Sequence, residues 1–208
     1  MPTHNIYFVD SRVADYQRLV GSLPVDSEWF VLDANRDGIE QMQAILASYS
    51  GLDSIQILSH GSQGTLFLGS TNLNNANIDS YSQQLGRIGN SLTSTGDILL
   101  YGCNVAQGDV GQSFITTLSQ YTGADVAASN DLTGSASLGG NWSLEAQSGS
   151  IESSILQDPI TYSYVLADDY AATTATSGTI AIGGAKAGSI ELAGDEDWFK
   201  VNLTAGTT

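Results

Sequence analysis

The chain has 208 residues and a formal charge of −16, with 22 acidic side chains against 6 basic ones, and its cations (Arg12, Arg18, Arg36, Arg87, Lys186, Lys200) form no cluster. Nucleic acid is thereby excluded as an expected partner, because phosphate binding needs a positive patch. One cysteine excludes an internal disulfide, and no apolar stretch reaches the roughly 18 residues that span a bilayer, so no transmembrane segment is expected.

Taken in chain order, the apolar residues alternate between two periods. Ile6, Tyr7, Phe8 and Val9 form a run that ends at Asp10 and predicts a buried strand. The chain enters it from Met1 with no basic start and no small-residue cleavage site, so no amino-terminal signal peptide is expected. Tyr16, Leu19 and Val20 recur at helical spacing until Gly21 and Pro24 break it. Residues 29–32 predict a second strand, closed by the turn Asp33-Ala34-Asn35, and residues 38–49 an amphipathic helix on Ile39, Met42, Ile45, Leu46 and Tyr49. Residues 54–58 give a third strand, and Leu66 to Leu68 with Thr71 and Leu73 a small hairpin. Ile78, Tyr81, Leu85, Ile88 and Leu92 mark a helix over 78–92, and residues 97–101 a fourth strand. Phe114, Ile115, Leu118 and Tyr121 mark another helix, followed by a fifth strand over 124–128. This alternation predicts an α/β fold, a mainly parallel sheet with helices on both faces.

Beyond residue 128 the chain turns Gly-rich, and Gly139-Gly140-Asn141 between residues 136–138 and 142–144 predicts a β-hairpin appendage. Residues 151–156 and 162–166 read as peripheral strands, and 167–177 as a linker of small polar residues. Residues 178–182, 188–192 and 198–203 alternate as strands around Gly194-Asp195-Glu196-Asp197, as at the opening of a β-sandwich. The expected organisation is an α/β domain over 4–158, a peripheral strand and linker over 159–177, and a partial β-sandwich over 178–208.

Chemistry concentrates at two strand ends, Leu58-Ser59-His60-Gly61 and Leu100-Tyr101-Gly102-Cys103-Asn104. Open parallel sheets hold reactive groups just beyond the carboxyl ends of their strands. An imidazole and a thiol at two such ends suit a dyad in which His60 takes the proton of Cys103 and the thiolate attacks. Each residue alone reads more simply, as a turn histidine and a small buried cysteine. The dyad reading requires both on one sheet edge, and burial of Cys103 in an apolar core would end it. A thiol of ordinary pKa needs a positive partner or a helix start to ionise near neutrality, and the helix expected from about 107–110 is the candidate. Backbone N–H groups of Gly61 and Cys103 are the natural donors to a developing oxyanion.

Asp10 has two readings: a helix cap, or the floor of a specificity pocket for a basic residue before the scissile bond. Asp33 and Asp37 read as a cap and a first-turn acid. Asp195 and Asp197 with Glu196 offer hard oxygen ligands compatible with calcium, although a solvated turn explains them as well, and no cofactor is otherwise required. His4 reads as a surface residue. Ser59 or Ser62 as nucleophile ranks last, because serine needs its own base and orienting acid.

Several of these runs also carry a family resemblance. Tyr7-Phe8-Val9-Asp10-Ser11, Val31-Leu32-Asp33, Leu58-Ser59-His60-Gly61, Leu99-Leu100-Tyr101-Gly102-Cys103-Asn104-Val105, Thr122-Gly123-Ala124-Asp125-Val126-Ala127-Ala128-Ser129 and Gly139-Gly140-Asn141-Trp142-Ser143-Leu144-Glu145 resemble, in order, the caspase/gingipain-like domain of unknown function found near the amino end of large bacterial surface and adhesin proteins. The resemblance implies the caspase-like fold of clan CD cysteine peptidases, with His60-Gly61 and Cys103 in the positions of its histidine and nucleophile. It departs at Cys103-Asn104-Val105, which lacks the caspase Gln-Ala-Cys-x-Gly, and at Tyr101, where metacaspase-like relatives carry an acid. The tail around Gly194-Asp195-Glu196-Asp197-Trp198 is similar to the start of the bacterial pre-peptidase C-terminal β-sandwich. Together these imply a cysteine endopeptidase acting on polypeptide, including its own chain, or a peptidase-like binding module with an inactive dyad. An extracellular or surface location reached without an amino-terminal signal is expected, with a cytoplasmic protein as the alternative.

Overall fold

Successive side chains of a strand face opposite sides of its sheet, so a continuous apolar run needs cover on both faces. That demand organises the fold in the computed structural model, which describes residues 4–25, 27–156, 162–167, 178–185 and 198–202. Strands β1 (Asn5–Asp10), β2 (Glu28–Leu32), β3 (Leu52–Leu58), β7 (Leu92–Tyr101), β8 (Asp125–Ala128) and β9 (Ala146–Gln147) form a six-stranded sheet in the order β2-β1-β3-β7-β8-β9. All neighbours run parallel except β8 and β9. Strands β4 (Gly61–Ser62), β5 (Thr65–Leu68) and β6 (Thr71–Asn74) form a separate antiparallel sheet that contains the expected hairpin.

One face of the large sheet presents Ile6, Phe8, Ile55, Ile57, Ile98, Leu100 and Val126 to the helices α2 (Gly38–Leu46), α3 (Ser82–Gly89) and α4 (Gly108–Thr122), through Ile39, Met42, Leu85, Ile88, Phe114 and Leu118. The other presents Tyr7, Val9, Leu58, Leu99, Tyr101 and Ala127 to Leu19 of the short helix α1 (Tyr16–Val20) and to irregular chain carrying Trp142, Leu144, Leu156, Tyr162 and Leu166. Helices therefore lie on both faces, but mostly on one. Asp37, expected as a first-turn acid, is instead the N-cap of α2, its Oδ1 accepting the Glu40 N–H at 3.0 Å.

Several expected elements differ: residues 151–156 form no strand, and 162–166 pair only through an isolated bridge at Val165. No hairpin forms around Gly139-Gly140: residues Ala136–Leu138 are a 3-10 turn, and the loop closes through an isolated Thr133–Asn141 bridge, with Asn141 N donating to Leu132 O at 2.9 Å. The backbone bonds that a hairpin needs are thus spent inside the loop. The helix expected over 78–92 is a 3-10 turn (Ile78–Tyr81) followed by α3, and Leu92 begins β7 opposite Leu52, before a register shift between Leu52 and Ser54.

The chain divides into two units, Met1–Ala167 and Asp168–Thr208. In the second, Thr179 and Lys200 form a parallel bridge. The expected strand over 188–192 and the acids Asp195, Glu196 and Asp197 lie outside the described residues. Among the described residues no helix is long and apolar enough to cross a membrane.

Candidate functional site

Parallel register sets the site. Leu58 of β3 stands opposite Tyr101 of β7, so the turns that follow, Ser59-His60-Gly61 and Gly102-Cys103-Asn104, leave the same sheet edge side by side. Ser59 N donates to Tyr101 O at 3.1 Å across them. Their backbones touch: a Cβ on Gly61 would lie 2.9 Å from Cys103 O and 2.6 Å from the Val105 side chain, which leaves room for glycine alone. Asn104 turns the chain with φ of 60°, a left-handed conformation that asparagine tolerates better than most residues.

His60 is buried. Its Nε2 lies 3.1 Å from the carbonyl oxygen of Arg12; a carbonyl only accepts, so Nε2 carries the ring proton of the neutral imidazole and Nδ1 keeps the lone pair. Nδ1 is buried with no hydrogen-bond partner. The histidine is thus oriented by backbone, and its Nδ1 makes no hydrogen bond, to the Cys103 thiol included.

Cys103 is fully buried within the apolar cluster of Tyr7, Val9 and Tyr101, the outcome that the sequence reading set against a peptidase, although it leaves the same sheet edge as His60. Its Sγ accepts from Thr133 N at 3.2 Å and faces Thr133 O at 3.5 Å. Desolvation pushes the thiol up to about 11; backbone hydrogen bonds from Thr133 and Leu166 pull it down, and the charge of Asp131 adds to the rise. α4 begins at Gly108, where the sequence placed a helix start, yet the thiol is held above its ordinary value, chiefly by burial.

Packed beside the thiol is an irregular segment, residues 162–167, that bends at Leu166. Leu166 N donates to Thr133 O at 2.8 Å and Ser135 N to Tyr164 O at 2.8 Å. Val165 bridges Gly134 in antiparallel sense and Ala167 bridges Gly61 in parallel sense. Between these bonds the Leu166 carbonyl oxygen accepts from two donors, Gly61 N at 3.3 Å and Cys103 N at 3.5 Å. The two N–H groups singled out in the sequence as oxyanion donors thus converge on one peptide carbonyl. The Leu166 side chain is fully buried, in the apolar cluster that holds Tyr7, Val9, Val13, Tyr101 and Cys103.

Asp10 is buried, but its oxygens are occupied. Oδ1 accepts from Arg12 N at 2.9 Å and Arg12 Nε at 3.0 Å, and Oδ2 accepts from Gly69 N at 2.6 Å and the second Arg12 nitrogen at 3.2 Å. A carboxylate so filled is not free to receive a basic substrate side chain. Its local role is to fix the turn whose Arg12 carbonyl holds His60.

Ser59 is buried, its hydroxyl bonded to the His60 carbonyl at 3.1 Å, and His4 is exposed. Arg12, Thr133 and Leu166 are the participants that sequence reasoning missed. All three act through backbone atoms, which leave no mark in residue type.

At the other end of the same strands, Asp97 and Asp125 face each other in register on β7 and β8. Oxygens of Asp97, Asp125 and Glu152 lie within 4.8 Å of one another, a hard-oxygen set of the kind that suits calcium.

Residues 6–166 match the family described as "Domain of unknown function (DUF4347)". No curated protein matches the chain. Among solved structures, one titled "Crystal structure of a small-chain dehydrogenase" is similar at 9% identity with a TM-score of 0.31, over 57% of this chain and 77% of that one.

Proposed function

The chain belongs to the family described as Domain of unknown function (DUF4347), and we propose that its α/β unit is a cysteine peptidase with Cys103 as nucleophile and His60 as general base. The observation that carries this reading is the pair of N–H groups, Gly61 and Cys103, aimed at one carbonyl oxygen at 3.3 and 3.5 Å. An oxyanion hole binds the transition-state oxygen at about 2.7–3.1 Å, so slightly longer contacts suit a ground-state carbonyl. The unspent Nδ1 of His60 adds the base.

In the proposed reaction the Cys103 thiol gives its proton to His60 Nδ1 while Sγ bonds to the carbonyl carbon. The C–N bond then breaks, and the same proton passes to the leaving amine. Water attacks the thioester, its proton again moving through His60, and the product carboxylate leaves with the thiol restored. Cleavage in a surface or secreted protein is the setting we propose, and fractionation of cells making the full-length protein tests it.

A buried thiol at about 11 favours a second reading, a peptidase-like fold kept for binding. Incubation of the full chain with a proteome-derived peptide library separates the two. New amino termini that vanish in Cys103→Ala and His60→Ala are expected; no cut in the library or in the chain itself leaves the binding module.

A further inference from the structure

We propose that the site's substrate is this chain's own Leu166–Ala167 peptide bond, cut in cis after an apolar residue; the proposal rests on the peptidase reading above. The Leu166 carbonyl already accepts the Gly61 and Cys103 N–H groups. The segment bends at Leu166 and is held by backbone bonds or bridges on both sides, to Thr133, Gly134 and Ser135 before the bond and to Gly61 after it. Addition of an extended strand to a backbone edge is how proteins commonly hold a peptide, with side-chain pockets supplying specificity. Here the pocket is apolar, because Leu166 is fully buried within the cluster of Tyr7, Val9, Val13 and Tyr101. Asp10, the candidate for a basic pocket, is filled by Arg12 and Gly69. The bond lies inside the first unit, one residue before its end at Ala167. A cut there leaves every strand and helix of the α/β unit on one fragment.

The bond that forms is Cys103 Sγ to Leu166 C, and the bond that breaks is Leu166 C to Ala167 N. The thiol proton ends on the Ala167 amine. Water then releases Leu166 as a free carboxylate. Since the covered thiol is neutral, proton transfer to His60 accompanies attack, which suits one slow turnover per molecule.

The test follows purified full-length chain over time by intact mass and sequences the amino terminus of the smaller fragment. A fragment beginning at Ala167 is expected, absent in Cys103→Ala, retained in Leu166→Met and slowed at least tenfold in Leu166→Asp, with circular dichroism checking that each variant folds. Library cleavage without the Ala167 terminus, or cuts only after Arg or Lys, overturns the cis proposal and leaves the peptidase reading standing. An intact chain together with an uncut library overturns both.

A different observation carries a second inference: we infer that Asp97, Asp125 and Glu152 hold a hard divalent cation of the calcium class. Asp97 is fully buried, and its Oδ2 accepts the N–H groups of Glu152 and Ser153 at 3.0 and 2.8 Å. Its Oδ1 is buried with no partner, beside the register-paired Asp125 carboxylate. A buried carboxyl oxygen without a partner stands next to two more acids, with no Lys or Arg ion-paired to any of them among the described residues. Thermal unfolding of the full chain with added calcium or magnesium chloride tests this. A midpoint that rises with calcium and loses most of that rise in Glu152→Gln, an exposed change that leaves the Glu152 N–H in place, is expected. No rise, or a rise unchanged in both Glu152→Gln and Asp97→Asn, overturns it.

Discussion

His60 Nε2 sits 3.1 Å from the carbonyl oxygen of Arg12, and this contact fixes the tautomer on which the proposed chemistry depends. His60→Gln removes the base and leaves the oxyanion donors in place. Positioned proton transfer typically contributes 10²–10⁴-fold, so self-cleavage is expected to slow by roughly that factor. Intact-mass time courses measure it; a variant as fast as wild type would show that the ring plays no part.

Asp10 acts one step further back, since its carboxylate ties down the turn that presents the Arg12 carbonyl. Asp10→Ala removes the acceptor for a buried Gly69 N–H and for the Arg12 guanidinium. Loss of such a partner is expected to cost about 2–4 kcal/mol in urea unfolding. The residue preferred before the cut should stay apolar; a change in that preference would return Asp10 to the specificity pocket.

Much of the sheet was legible because buried parallel strands have a plain signature, as in Ile55, Ile57 and Leu58 or Ile98, Leu99 and Leu100. The two side chains with chemistry were legible because each ends such a run beside a glycine. Their partners were not. The Arg12 carbonyl, the Thr133 peptide and the Leu166 carbonyl contribute only backbone, and backbone partners distant in sequence have no residue-type code. Residues 162–166 were visible as a peripheral strand, but an apolar run does not say what it lies against. The partners of Asp10 were hidden for the same reason, since one of its donors is the Gly69 N–H, 59 residues away.

Gly61 has no space for a side chain. A Cβ there would meet the Val105 side chain at 2.6 Å and Cys103 O at 2.9 Å, so Gly61→Ala has to part the two turns. Overpacking of this kind costs about 1–3 kcal/mol. The strain falls on the N–H aimed at Leu166 O, so cleavage should fall by more than stability alone explains. Rates compared under conditions where both proteins are fully folded check this, and an unchanged rate would separate Gly61 N from the oxyanion site.

The buried thiol makes a claim about alkaline stability. Its folded value, about 11, lies above the ordinary 9.0, with desolvation the main cause. For an acid raised in this way, the stabilising contribution is fully present below pH 9 and is lost as pH rises through 11, because the unfolded chain releases its proton first. In a His60→Gln background, where self-cleavage is slowed, urea midpoints should fall with pH over this window. Replacing Cys103 by Ala should make the fall shallower, by at most about 1.4 kcal/mol per pH unit. Tyr101 and Tyr162, also raised by burial, add a decline of the same sign that both proteins share. Parallel declines would mean that the thiol is open to water in solution and that residues 162–167 do not cover it.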